Sequence, residues 1–421
     1  MSDIGIVKGR LSRPLLWAMT GGAAAFGSLL FSLYAYPRHD RILIDFYKAY
    51  LPAGQAMLNG NYAALLNLYE LHLFVNIPVV AWFFAPFAAL GLWWAGAVFT
   101  VFGVLCVAAT VYLLTRDTAS EVRLGIVSLF FLNGPLWYSI WMGNTTHMVL
   151  LCLAVALSLW WRGSLYMTGV LFGVVAIIKP ALLIFGAYFI FTRKWRVVLG
   201  GAMVVLGAVA AGIAIFGVPY TGSWYQNIIV EYARHPIGAY NSQSLANFLL
   251  RMETGAKYLH DWGTHPLSSF SGSVRYVVMA VVGTIVLFAT AHRRGPADSR
   301  PGSYEFTEIC LLLSIFVMLG TISWTHYYLL LLLPWTLHFT GKLQLPDDRL
   351  SSGLIWVSIL LCSLPVHFNR YPDGLLARAM PRLLDSAWFI GAIFLFLALA
   401  RGILFNQANP IRSLLAAGRT K

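Results

Sequence analysis

Of 421 residues, 59% are apolar and 11% charged, against roughly 25% charged in soluble domains, so an ordinary soluble fold is excluded. The 29 Lys and Arg outnumber the 16 Asp and Glu, and the net charge of +13 would suit nucleic acid. The cations nevertheless fall in short clusters between apolar stretches, where they set orientation in a membrane, and no nucleic-acid partner is expected.

An apolar run at 15–36 follows Lys8, Arg10 and Arg13. It is too long for a signal-peptide core of roughly 7–15 residues and reads as a retained first span. Residues 37–77 form a long loop, partly apolar and aromatic, expected to fold as short amphipathic helices on the membrane surface. Residues 79–90 are apolar but broken by Pro78 and Pro86, and are expected to be re-entrant or interfacial. Further apolar stretches run 93–114, 124–141, 147–161, 164–178, 181–192 and 197–217. A second long loop covers 218–273, and the last stretches are 274–291, 306–324, 327–340, 353–369 and 386–404. Several are too short to cross about 30 Å at about 1.5 Å per residue. The pair either side of Lys179-Pro180 reads as two half-length helices meeting at a proline break, as expected where helices line a protein cavity.

The expected fold is an all-α polytopic membrane protein, a single domain over 1–421 with about 10–13 transmembrane or re-entrant helices, because only helices satisfy their own backbone against lipid. Basic clusters occur at Lys8/Arg10/Arg13, Arg116/Arg123, Arg193/Lys194/Arg196, Arg293/Arg294/Arg300, Lys342/Arg349 and Arg401/Arg412/Arg418/Lys421. They put both termini in the cytoplasm and both long loops, 37–77 and 218–273, outside. Shorter outer connections fall near Gly143, Lys179, Thr325 and Arg370. No soluble domain is expected at either end, and no internal repeat is evident. Cys106, Cys152, Cys310 and Cys362 lie in apolar stretches without disulfide or metal-ligand spacing and read as packing.

Carboxylates are scarce, so an acidic residue just outside the membrane is informative. Asp45 opens DFYKAY in the first outer loop, with Lys48 three residues on and on the same helix face. A surface ion pair is the competing account, set against the cost of a carboxylate at the lip of an apolar cavity. His326 lies in SWTHYY between two apolar runs, flanked by Trp324, Tyr327 and Tyr328, which equally suit an interfacial aromatic belt. Lys179 is the one lysine within 164–192; a phosphate is its natural partner, and snorkelling to the interface is the alternative. The second loop adds Glu231, Arg234, His235, Asn241, Arg251 and Asp261. Asn144-Thr145-Thr146 matches a glycosylation sequon, at a membrane-edge position that deprives the match of meaning. Phosphate-loop, dinucleotide, nucleophile-elbow and zinc-protease motifs are absent.

Taken in order, DFYKAYLPAGQAMLNGNY (45–62), IPVVAWFFAPFAAL (77–90), MGNTTHMVLL (142–151), IIKPALLIF (177–185), NSQSLANFLLR (241–251) and SWTHYYLLLLLPW (323–335) resemble the family 87 glycosyltransferases of the GT-C fold. The resemblance runs from about residue 40 to 340. Two departures stand out: Asn76-Ile77-Pro78 where the family often has Tyr-Pro-Pro, and Gly143-Asn144 where it often has Gly-Gln. It implies inverting sugar transfer, most often of mannose, from a polyprenyl-phosphate donor to a lipid or glycan acceptor. The reaction would occur on the outer face of the cytoplasmic membrane, among membrane lipids, with no metal or other cofactor. It further implies Asp45 as the catalytic base. His326, as proton relay or charge stabiliser, then joins it in catalysis. Lys179, Arg234 and Arg251 become candidates for the donor phosphate, and Lys48, Asn144, Asn241 and Tyr327 for other substrate contacts.

Two further readings stay open on the residues alone. A lipid-linked sugar flippase would also need a cation in a membrane cavity, but not an outer carboxylate, and it should show two related halves. A GT-C ligase moving a whole glycan would rely on outer-loop Arg and His instead of Asp45. A non-catalytic scaffold would need none of these groups.

Overall fold

The computed structural model describes residues 42–291, 298–363 and 375–408. The expected first span at 15–36, the basic groups before it, Arg293, Arg294, Arg370 and the tail cations beyond 408 lie outside the described residues. Among the described residues there is no strand; two isolated bridges, Ile237 with Thr264 and Ser242 with Trp324, are the only β-type pairings.

The first long loop is more than a surface layer. After a wide turn at Phe46–Tyr50 come α1 (Leu51–Leu58) and α2 (Ala63–Glu70), and then a tight turn at Pro78–Val80 leads into α3 (Ala81–Ala88). These helices bury aromatic side chains against one another and against α4 (Leu92–Thr115). Phe46 stacks on Phe99 at 4.4 Å between centroids, and Tyr50 on Phe84 at 4.5 Å. Such pairs add to plain apolar burial and give the loop a core of its own.

Beyond α4 the chain forms α5 (Ser120–Leu132) and α6 (Gly134–Met142), which meet at 55°. Pro135 cannot donate to a continuing helix, and the Asn133 side chain caps the restart by accepting from the Leu136 N–H at 2.8 Å. Next are α7 (Thr146–Trp161) and α8 (Leu165–Ile178). Lys179 leaves the helical region at φ −131°, because the residue before a proline is pushed out of it. Pro180–Leu183 then makes one tight turn into α9 (Ile184–Phe191), the proline break expected from the sequence.

α10 (Trp195–Phe216) packs on α8 through small residues. A Cβ on Gly169 would run into the Val197 carbonyl oxygen, and one on Gly200 into that of Tyr166. Such close backbone approach is how helices associate where lipid supplies no hydrophobic drive. The second loop carries α11 (Val218–Trp224), α12 (Glu231–Arg234) and α13 (Leu245–Thr254), whose start is capped by Ser244 with Asn247.

The remaining helices are α14 (Ser269–Ala291), α15 (Ser303–Leu319), α16 (Leu332–Phe339), α17 (Arg349–Ser363), α18 (Leu375–Leu383) and α19 (Ala387–Ala408). Among the described residues four helices are long and apolar enough to span a membrane: α4, α10, α14 and the stretch ending in α19. The bent pair α5–α6 would make a fifth. Shorter apolar segments, including α7, α8 and α17, complete the bundle. Helix α15 is buried on every side from Phe306 to Met318, and the carboxylate it buries there, Glu308, accepts from the Tyr188 hydroxyl at 2.6 Å. By contrast, α4, α10 and α14 keep exposed Leu105, Leu199, Leu206 and Phe288, the faces that lipid would cover. This is an all-α polytopic membrane protein.

Candidate active site

Four separate segments converge around Asp45. The Leu43 N–H donates to the Trp141 carbonyl at 2.7 Å, which ties the start of the first loop to the end of α6. There Gly143 adopts φ +70°, and a Cβ on it would sit 2.7 Å from that of Phe46. Only glycine permits both the left-handed turn and this approach. The turn delivers Asn144, buried to 4% exposure, whose Nδ2 donates to Asp45 Oδ2 at 3.0 Å and to the Tyr50 hydroxyl at 3.3 Å. The Asn144 carbonyl is occupied from behind by the Thr146 N–H (3.1 Å) and hydroxyl (2.7 Å). The sequon asparagine is thus an interior group.

Lys179 reaches the site from the proline break. It is buried, and its Nζ lies 3.9 Å from the centroid of the Tyr327 ring, a cation–π contact. Its charge is felt at Asp45, although among the described residues no cation is ion-paired with that carboxylate. Burial pushes the Asp45 carboxyl up to about 6, while the Asn144 hydrogen bond and the Lys179 charge pull the other way. Asn76 holds the approach to Lys179, donating from Nδ2 to the Ile178 carbonyl at 2.7 Å.

The wall opposite comes from the second loop and the segment before α16. Thr325 N–H donates to the Asn241 carbonyl at 2.8 Å, and Gln243 N–H to the Ser323 carbonyl at 2.7 Å. His326 is buried in this wall, near-parallel to Tyr138 at 6.5 Å between centroids, with no hydrogen-bond partner at Nε2 among the described residues. Asn241 accepts from Trp262 Nε1 at 3.1 Å and lies 3.5 Å from the Tyr138 hydroxyl.

The structure therefore brings together Asp45, Asn144, Lys179 and Tyr327, with His326 and Asn241 in the adjoining wall. It leaves Lys48 exposed rather than paired to Asp45, and Arg234 exposed at the end of α12. Arg251 is buried within the second loop, donating from Nη1 to the Ser242 carbonyl at 2.7 Å and from Nε to Ser386 Oγ at 3.0 Å. These contacts pin the loop to the turn before α19. Sequence reasoning overlooked Tyr50, Tyr138 and Asn76, although Tyr50 lies in the same DFYKAY segment as Asp45 and Asn76 marks a departure from the family pattern. Tyr138 offered no sign, being one more aromatic in an apolar span. Among the described residues no three His, Cys, Asp or Glu side chains are placed to hold a metal ion.

The model of glycosyltransferase family 87 matches residues 74–320, well over half of the chain. The chain belongs to glycosyltransferase family 87. The matched stretch contains Asn144, Lys179, Asn241 and Arg251, while Asp45 precedes it and His326 follows it. A polyprenol-phosphate-mannose-dependent alpha-(1-2)-phosphatidylinositol pentamannoside mannosyltransferase of Mycolicibacterium smegmatis (strain ATCC 700084 / mc(2)155) is 26% identical over 349 residues, 80% of this chain and 73% of that protein. No solved structure gives a significant match. This family 87 protein is a membrane glycosyltransferase.

Proposed function

We propose that this glycosyltransferase moves a hexose, with mannose the first sugar to test, from a polyprenyl-phosphate donor to a lipid or polysaccharide acceptor. The transfer inverts the anomeric centre and takes place at the outer face of the cytoplasmic membrane. One observation carries the reading: a carboxylate, Asp45, shares its site with a buried cation, Lys179.

Asp45 takes the proton from an acceptor hydroxyl as that oxygen bonds to the anomeric carbon. The bond from that carbon to the phosphate oxygen breaks on the opposite face, and the pair of electrons leaves with the phosphate. A phosphate departs as an anion, so the second carboxylic acid of a glycosidase is not required. What is required is positive charge where the phosphate leaves, and Lys179 supplies it from a site that excludes water. The Tyr327 ring, 3.9 Å from its Nζ, holds the lysine in place. His326 stabilises the departing charge or relays the proton away from Asp45, and Asn241 contributes to substrate binding.

The outer-face assignment rests on the basic connections Arg116/Arg123, Arg193/Lys194/Arg196 and Lys342/Arg349, which mark the cytoplasmic side by the positive-inside rule. The donor and sugar are supported by the name of the mycolicibacterial relative.

The test is transfer of label from radioactive polyprenyl-phosphate mannose to a membrane glycolipid extract by purified protein in nanodiscs. Asp45→Asn should keep donor affinity and lower turnover by roughly 10²–10⁴, the usual worth of a general base. Equal turnover in the variant would remove Asp45 from the reaction. Saturable donor binding by the wild type with no transfer of any hexose would favour a carrier of lipid-linked sugar instead.

A further inference from the structure

We infer that Asn144 is a positioning residue that presents a donor-only face to Asp45 and thereby sets the pH at which the base becomes active. Its catalytic consequence rests on the transferase reading above; the coupling itself does not.

The amide of Asn144 has no freedom to turn over. Its oxygen accepts both the N–H and the hydroxyl of Thr146, two donors on one oxygen. The nitrogen must then face the other way, where Asp45 Oδ2 and the Tyr50 hydroxyl lie at 3.0 and 3.3 Å. A flipped amide would lose both Thr146 bonds and set oxygen against oxygen at Asp45. Backbone geometry reinforces the arrangement, since the left-handed turn at Gly143 is closed against Phe46, the residue after Asp45. A group that can only donate stabilises the carboxylate over the carboxylic acid.

The other charged or titratable groups acting on Asp45 are known by element. Lys179 comes from the break after α8 and favours the carboxylate. Tyr50 on its own segment is a phenol whose ionisation Asp45 opposes, and the site also holds the phenols of Tyr138 on α6 and Tyr327 before α16. Exposed Lys48 shares its turn. Among the described residues Lys179 is thus the charged group of a different segment acting on Asp45, and Asn144 the neutral group hydrogen-bonded to it. Removing Asn144 leaves the Lys179 charge to oppose the burial of the carboxyl without a hydrogen bond beside it.

The experiment compares wild type, Asn144→Leu and Asp45→Asn, each in purified full-length protein. Asn144→Ala serves as a second variant should the leucine variant not fold. In transfer assays, the acid limb of kcat should move up by about one pH unit in Asn144→Leu, the worth of one hydrogen bond to a charged group, with activity recovering at high pH and donor KM unchanged. A uniform loss across pH, or a several-fold rise in donor KM with the limb unmoved, would overturn the assignment and make Asn144 a scaffold or a substrate contact.

The second arm needs no substrate. The pH profile of the thermal unfolding midpoint should shift upward in Asn144→Leu, and that shift should vanish when Asn144→Leu is made in the Asp45→Asn background. A shift that persists without Asp45, or none at all, would overturn the coupling. If wild type moves no sugar, the transferase reading fails while the unfolding profiles still decide whether Asn144 acts on Asp45.

Discussion

A carboxyl lifted to about 6 by burial is only partly ionised in mildly acidic solution, so the Asp45 environment makes a prediction about pH. As a base it must be ionised, and wild-type turnover should therefore fall as pH drops through about 6. The stability effect has the opposite slope. The folded state holds this proton more tightly than the unfolded chain, so its contribution is full below the unfolded value of 3.8 and lost as pH rises through about 6. Asp45→Asn should erase that component from a series of unfolding curves between pH 4 and 8; an unaltered profile would show that another group titrates. At Lys179 the prediction concerns binding. Lys179→Ala should weaken donor affinity by roughly 10-fold or more, the worth of at least one charge-assisted hydrogen bond, while Lys179→Arg keeps most of it. Equal effects of the two variants in a donor titration would argue against a phosphate contact.

At the scale of elements, the site depends on chain breaks more than on helices. Lys179 is available because Pro180 stops α8 there, and Asn144 because Gly143 turns left-handed after α6. The first break was legible in the sequence, since the effect of proline on its neighbour is local. The second was not, because what forbids a side chain at Gly143 is Phe46, from a segment far away in the chain. Gly143→Ala should cost about 1–2 kcal/mol from the left-handed backbone alone, and should also displace Asp45, lowering turnover without abolishing folding. The pairing of α8 with α10 calls for a different test. Gly169→Leu places a side chain where the Val197 carbonyl stands, and by overpacking it should destabilise the bundle by about 1–3 kcal/mol. An unchanged unfolding midpoint would mean the helices are held elsewhere.

For the whole molecule, the first long loop with its own aromatic core and the second loop pinned by Arg251 make one compact layer over the helices. Trp224 Nε1 donates to the Val75 carbonyl at 3.1 Å and links the two loops. If this layer faces outward, Lys48→Cys in intact cells should react with a membrane-impermeant maleimide. Arg196→Cys, whose parent side chain is 73% exposed at the opposite end, should react only after permeabilisation. The reverse pattern would invert the topology. Cys106, Cys310 and Cys362 are buried and give little background.

The sequence by itself determined the class of the molecule: an apolar helical bundle, its basic connections, its two long loops and the break at Lys179-Pro180. Each of these follows from composition, segment length or the effect of a residue on its immediate neighbours. It also singled out Asp45, through the scarcity of carboxylates and the resemblance to family 87. Only the tertiary structure decided who acts on Asp45. Asn144 is 99 positions away along the chain. The same packing set Tyr327 beneath Lys179 and drew Arg251, on sequence an equal candidate for the phosphate, into the carbonyls of its own loop. Contacts between segments so far apart are chosen by how the helices pack, and no local pattern of residues records that choice.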